Sequence, residues 1–347
     1  MSRLIDNQEK RWRYPVRAAS VEAGLRTRFY AVSRIGSRDN RPLISELTRR
    51  AAAIGQDNLS GASELSRQAR GLLAEALHQG CAPAIAATLV RGQPSMASVW
   101  NAAISAVESA TVPEVWSRAV RRWDRADAAL ERVAIHALSS DGPPPQRIVT
   151  FSMSGSVVRV LTRLAEASPQ AIRVSCSEGR PTLEGQRLAA ALSMSRIEVD
   201  FFTDAALGVA LRDADLLLLG ADAIGGTAWI NKAGTQTLAA AAHVQGLAVH
   251  IVATSDKLVM PSLWPHLVLR HGQPDEVWTS APPGVHVHNP YFESIPLDFV
   301  TTVITDIGVL GVGMVPSACA SLETSDTRRG LDELLKAFDL LRANPPS

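Results

Sequence analysis

The residues best suited to chemistry are concentrated in GADAIGGTAWINKAGT, residues 220–235. Asp222 directly follows DLLLLG (215–220), a continuous apolar run of the kind found in a strand buried on both faces. A carboxylate at such a place costs free energy unless it has partners or a task. Asn231 and Lys232 precede Gly234-Thr235, a small-residue turn that opens a helix. Lys232 can meet a phosphate there as a point charge. The Gly225-Gly226 pair reads as the tight turn of a small hairpin. A second candidate is TFSMSGS, residues 150–156, in which Ser152, Ser154 and Gly155 immediately precede a helix. Free N–H groups at a helix start favour an anion, and serine hydroxyls add donors. Serine is also a common N-cap, so an ordinary capping turn explains the same residues. A third is SEGRPTLEG, residues 177–185. Arg180 could hold a phosphate or carboxylate in a bidentate fork, with Glu178 orienting it, or the two could form a surface ion pair.

Other chemistries find no support. There is no GxGxxG and no Walker A sequence, so no nucleotide cofactor is expected. His286 and His288 alternate without a third ligand at a recognisable spacing, so no metal is expected. No GxSxG elbow is present, and a Ser-His-Asp triad cannot be assembled from sequence order. Cys81, Cys176 and Cys319 are odd in number and widely spaced, which fits small buried hydrophobes rather than a disulfide framework. With 35 Lys plus Arg against 34 Asp plus Glu, the net charge is +1, and nothing advertises a nucleic-acid surface. The 46% hydrophobic content rules out disorder as the main state. No run of about 18 apolar residues predicts a membrane span. The opening MSRLIDNQEKRWRYPVR lacks an apolar signal core, and Asp6 and Glu9 oppose a transit peptide, so a cytosolic protein is expected.

The elements that must position these residues fall into two patterns. Residues 1–145 are dense in Ala, Arg, Leu and Glu and read as a helical domain. Leu65, Ala69, Leu72, Leu73 and Ala76 recur at helical spacing within 62–77, and further helices are expected over 95–109 and 113–137. Pro143-Pro144-Pro145 ends this domain, because proline lacks the N–H a helix needs. From 146 to 325 the pattern changes to strands at 147–151, 171–176, 197–202, 215–220 and 247–254, alternating with helices. Such alternation implies α/β architecture with a parallel sheet and right-handed crossovers. Ligands then bind beyond the carboxyl ends of the strands, where the three candidate segments lie. Residues 326–347 form an amphipathic packing helix and a tail, with Leu331, Leu334, Leu335, Phe338 and Leu341 on one stripe.

Taken together, these motifs resemble the initiation factor 2B-related family. That family includes the regulatory subunits of eukaryotic initiation factor 2B, methylthioribose-1-phosphate isomerase and ribose-1,5-bisphosphate isomerase. The resemblance is carried by GADAI…WINKAGTQTLA, SEGRPTLEGQRLA (177–189), Asp204, Lys257 and NPYFESIPLDFVTTVITDIGV (289–309). LSGASEL (59–65) and QPSMASVWNA (93–102) resemble the helical-domain loops more weakly. It implies a helical domain followed by a Rossmann-like α/β domain, a homodimer through the latter, and a phosphorylated ligand held between the domains. In the isomerases a cysteine and an aspartate convert an aldose 1-phosphate to a ketose. Asp222 matches that aspartate, Asn231 and Lys232 match ligand contacts, and Arg180 matches a pocket arginine.

The departures bear on activity. Ser152 stands where the resemblance expects the catalytic cysteine, and a hydroxyl is far less acidic than a thiol. The family's R-G-A loop reads Ser60-Gly61-Ala62, and its R-P-T loop reads Gln93-Pro94-Ser95, so two phosphate-binding cations are missing. Asp306 replaces an expected glutamate. Three functions follow. The first is a protein that binds a sugar phosphate or nucleotide through Ser154, Gly155, Arg180, Asn231, Lys232, Lys257, Gly61 and Ala62. The second is an active aldose–ketose isomerase using Asp222 and Ser152. The third is a regulatory subunit acting through a protein partner.

Overall fold

The computed structural model describes residues 41–343 apart from Leu59 and Asp141, with no side-chain description for the last few. The N-terminal targeting reading, Leu59 and the Leu341 side chain lie outside the described set. Five helices come first: α1 (Arg41–Gln56), α2 (Ala62–His78), α3 (Ala82–Gly92), α4 (Ala97–Glu108) and α5 (Glu114–Ser139). Then strands and helices alternate: β1 (Arg147–Val149), α6 (Gly155–Ala167), β2 (Ile172–Ser177), α7 (Glu184–Ser193), β3 (Ile197–Phe202) and β4 (Leu216–Leu219). A hairpin follows, β5 (Ala223–Ile224) and β6 (Ala228–Lys232), then α8 (Thr235–Val244) and β7 (Ala248–Val252). The chain ends with β8 (Phe292–Pro296), β9 (Thr302–Thr305), β10 (Gly308–Gly311), α9 (Val315–Ala320) and α10 (Ser325–Ala343).

The main sheet has the order β10-β9-β7-β4-β1-β2-β3. All its neighbours pair in parallel except the β10 edge strand. Counting the parallel strands alone, the order is the doubly wound 3-2-1-4-5-6, which reverses direction between β1 and β4. Strand alternation explains why the 216–219 run is wholly apolar. Leu217 and Leu219 pack on one face with Leu238 and Ala239 of α8, while Leu216 and Leu218 pack on the other with Val160, Leu164 and Leu188.

A third cluster joins α1–α4 with Leu331 and Leu334 of α10, and it also takes in Ala223 and Ile230 of the hairpin. The hairpin joins β8 in a small antiparallel sheet that pairs Lys232 with Phe292. Helix α5 spans both halves: Trp123 packs with the helical cluster, Leu130 and Ala134 with the sheet. Helices α1 and α3 cross at Gly55 and Gly92, where a Cβ on Gly92 would fall 2.2 Å from the Gly55 Cα. Gln93, buried just past this crossing, donates from Nε2 to the Ile54 carbonyl at 2.8 Å and the Asp57 carbonyl at 3.1 Å. Among the described residues, no helix is long and apolar enough to cross a membrane.

Candidate functional site

The reversal of strand order opens a crevice between the ends of β1 and β4, and the chain places Ser152 after one and Asp222 after the other. A partly open cleft lies there. Its helical wall comes from Asp57, Ser60, Gly61, Ala62, Gln93 and Met96, and its sheet wall from Ser152, Thr182, Glu184, Asp222 and Lys232. Arg270, Tyr291 and Phe292 complete it.

Glu184, the first residue of α7, organises the sheet wall. Its carboxylate accepts from the Ser152 hydroxyl, from Thr182 Oγ1 at 2.8 Å and from Lys232 Nζ at 3.1 Å. Lys232 and Glu184 form an ion pair in which both side chains are largely buried. Lys232 Nζ also stands 5.5 Å from the centre of the Tyr291 ring. Ser152 holds φ +67°, a left-handed conformation uncommon for serine, and its hydroxyl reaches Glu184 from that turn. Asp222 sits beyond β4, with its N–H donating to the Ile230 carbonyl at 2.8 Å and its carbonyl accepting from Ala97 N at 3.0 Å. Burial pushes its carboxyl up to about 6; Glu184 acts in the same direction, while Lys257 and Lys232 oppose it. Its proton affinity therefore lies near neutrality, which suits a group that exchanges protons.

The helical wall supplies positive potential. Helix α2 starts at Ala62 with no side-chain cap, and its positive end borders the cleft through Gly61 and Ala62. Arg270 adds a guanidinium, half-buried, that donates to Gln93 Oε1 at 3.2 Å and also to Asn58. Position 93 is where the resemblance expects an arginine; here a cation reaches that amide from a distant loop instead.

The sequence-predicted residues are distributed unevenly. Ser152, Asp222, Lys232, Gly61 and Ala62 line the cleft together. Asn231 is buried and donates to Thr235 Oγ1 at 3.1 Å. Adjacent residues of a strand point to opposite faces, so Asn231 and Lys232 are turned apart. Ser154 caps α6 by accepting from Val157 N at 3.4 Å, and Gly155 opens that helix. Arg180 is exposed, its guanidinium 3.5 Å from the Val277 carbonyl, and its loop is pinned by the Asp204 carboxylate, which accepts from Ser177 Oγ, Gly179 N and Arg180 N. Lys257 is buried and donates to the Ala221 carbonyl. Asp306 accepts from Ser255 N and, at 3.0 Å, from Ser255 Oγ. Sequence reasoning did not single out Glu184 or Arg270. Glu184 stood inside the quoted SEGRPTLEG segment, and an acid in a first helical turn is an ordinary dipole partner. Nothing in the sequence around Arg270 links it to Gln93, 177 residues away.

The chain matches the Initiation factor 2 subunit family over residues 63–311, and it belongs to that family. It is 30% identical over 227 residues to a translation initiation factor eIF-2B subunit 2-like protein of Pyrococcus horikoshii, covering 64% of this chain and 78% of that one. It is also 30% identical over 230 residues to a methylthioribose-1-phosphate isomerase of Syntrophus aciditrophicus, covering 59% of each chain. A ribose 1,5-bisphosphate isomerase of Archaeoglobus fulgidus is 29% identical over 170 residues, which are 47% of this chain and 53% of that one. Among solved structures, a Pyrococcus horikoshii translation initiation factor eIF-2B superposes with a TM-score of 0.64 at 23% identity, covering 77% of this chain and 96% of that one.

Proposed function

We propose that the cleft binds a monophosphorylated sugar or nucleotide. The observation that carries this reading is the meeting, in one cleft, of the uncapped α2 start, Arg270 and Lys232 with the buried Asp222. Helix N–H groups and a guanidinium suit a phosphate. The carboxylates of Glu184 and Asp222 suit sugar hydroxyls, which can donate to them. Asp57 and Glu184 add negative charge, so one phosphate with neutral hydroxyls fits the charge balance better than two phosphates. Arg180, outside the lining, has no part in this assignment. Family relatives named as isomerases of phosphorylated ribose sugars support the ligand class.

A specific observation also favours isomerase activity. Two carboxylates share the cleft with differing environments: Lys232 pairs with Glu184, whereas burial raises Asp222. Asp222 would exchange a proton with the sugar, and Glu184 would take the role the Ser152 hydroxyl is too weakly acidic to fill. Pairing of two copies through the sheet half belongs to the same reading and is checked by sedimentation.

The test is thermal stability against ribose phosphates, methylthioribose 1-phosphate, other sugar phosphates and nucleoside monophosphates. A ligand that binds only the folded chain raises the midpoint with the logarithm of its excess over Kd. A selective rise supports the pocket, and NMR of the same sample then looks for ketose. An isomerase loses turnover in Asp222→Asn while still binding; a binding protein shows no product in either form. No rise at millimolar ligand overturns the reading and turns the search to protein partners.

A further inference from the structure

A second cavity, with room for a few waters, lies between α2, α4, α5 and the turn after β7. Ser66 and Ser98 line it at 2% and 1% exposure, and neither hydroxyl has a hydrogen-bond partner among the described residues. Arg70 Nε and Trp123 Nε1, on the same lining, are likewise buried and unpartnered among the described residues. Arg70 is held in place, stacked 4.3 Å from the centre of the Trp123 ring and paired with Asp256. Buried polar atoms are seldom left without partners in folded proteins. Here four such atoms belong to residues of one cavity lining, two of them capable only of donating.

The charge around the cavity has the matching sign. Its two acids are answered locally, Asp256 by Arg70 and Asp127 by Arg159 at 2.5 Å. Arg67 and Lys257 also line it, and neither forms an ion pair with a described residue. Lys257 gives its ammonium to the Ala221 carbonyl, one residue from Asp222. A single oxyanion offers several acceptor oxygens to such a set of donors, which water could answer only as a cluster.

We propose that this cavity is a second binding site, for a small oxyanion such as a phosphate or carboxylate group, held by Ser66, Ser98, Trp123 and Arg70 beside Arg67 and Lys257. It is separate from the cleft and does not depend on the function assigned there.

The test is calorimetric titration of the full chain with inorganic phosphate and, in parallel, acetate. The expected result is binding of at least one probe that persists in Arg270→Gln/Lys232→Gln/Glu184→Gln, which strips the cleft of both its cations and of the carboxylate paired with Lys232. That binding weakens tenfold or more in Ser66→Ala/Ser98→Ala, as loss of hydrogen bonds to a charged group requires. Removing unpaired hydroxyls leaves no new buried polar atom, so this variant folds. Arg67→Gln, at an exposed position, gives an independent weakening. Preference between the probes decides phosphate against carboxylate. Binding lost in the cleft variant and untouched by the serine changes overturns the proposal. So does absence of binding by either probe, which would leave ordered water as the occupant.

Discussion

The two cavities use similar residue types in opposite ways. In the cleft, a hydroxyl, a threonine and a lysine all converge on the Glu184 carboxylate, an anion the chain supplies itself. Around the second cavity, two serine hydroxyls, an arginine Nε and an indole N–H are buried with no partner among the described residues. The same contrast divides the buried lysines. Lys232 faces a carboxylate, whereas Lys257 faces a backbone carbonyl. A set of donors therefore does not by itself mark a vacant site; what matters is whether the fold has already answered it.

The sharpest way to break this comparison is Lys232→Met. It leaves the Glu184 charge buried without its cation, and stability should fall by about 3–5 kcal/mol. Urea unfolding measures this, and adding Glu184→Gln should restore much of the loss. If Lys232→Met is neutral, the cleft is not internally paired. Asp222→Asn should act in the other direction. Its carboxyl titrates near 6 in the fold against 3.8 when unexposed to burial, so the folded chain binds the proton more tightly. The penalty is absent below pH 3.8, grows between 3.8 and 6, and is full above 6. The variant should therefore gain on the order of 3 kcal/mol above pH 6 and nothing near pH 3.5, read as a difference in thermal midpoint across pH. Equal effects at both pH values would exclude ionisation as the cause. Ser152→Ala removes one charged hydrogen bond from Glu184 while two donors remain, for a loss of about 1–2 kcal/mol by denaturant titration. The smallest effect belongs to the second cavity. Ser98→Ala without ligand should change stability by less than about 1 kcal/mol and toward greater stability, because it deletes an unpaired hydroxyl. A clear loss would mean that the hydroxyl has a partner.

Much of the scaffold was legible because its signals are local. The 216–219 strand, its boundary with Asp222 and the hairpin at Gly225-Gly226 follow from an uninterrupted apolar run and a turn pair. The strand 197–202 and the α2 helix were equally readable from periodicity. Strands β8, β9 and β10 were not, because they are short and their pairing partners are remote, β8 with β6 and β9 with β7. The site shows the same division. Ser152, Asp222 and Lys232 sit at ends of elements with clear patterns. Glu184 and Arg270 gain meaning only from contacts 32 and 177 residues away, which spacing along the chain does not encode. Asn231 illustrates the reverse: adjacency to Lys232 suggested a shared role, and strand alternation separates them.

Glu184 also fixes what any incoming anion must overcome. A carboxylate rooted at the start of a helix is a tethered competitor, present at the lysine at an effective concentration that no dilution lowers. Free phosphate alone would compete poorly for Lys232. A sugar that brings hydroxyls to Glu184 and its phosphate to the α2 start instead needs no displacement. On the proposed function, the internal ion pair would favour molecules that carry both groups over the bare ion.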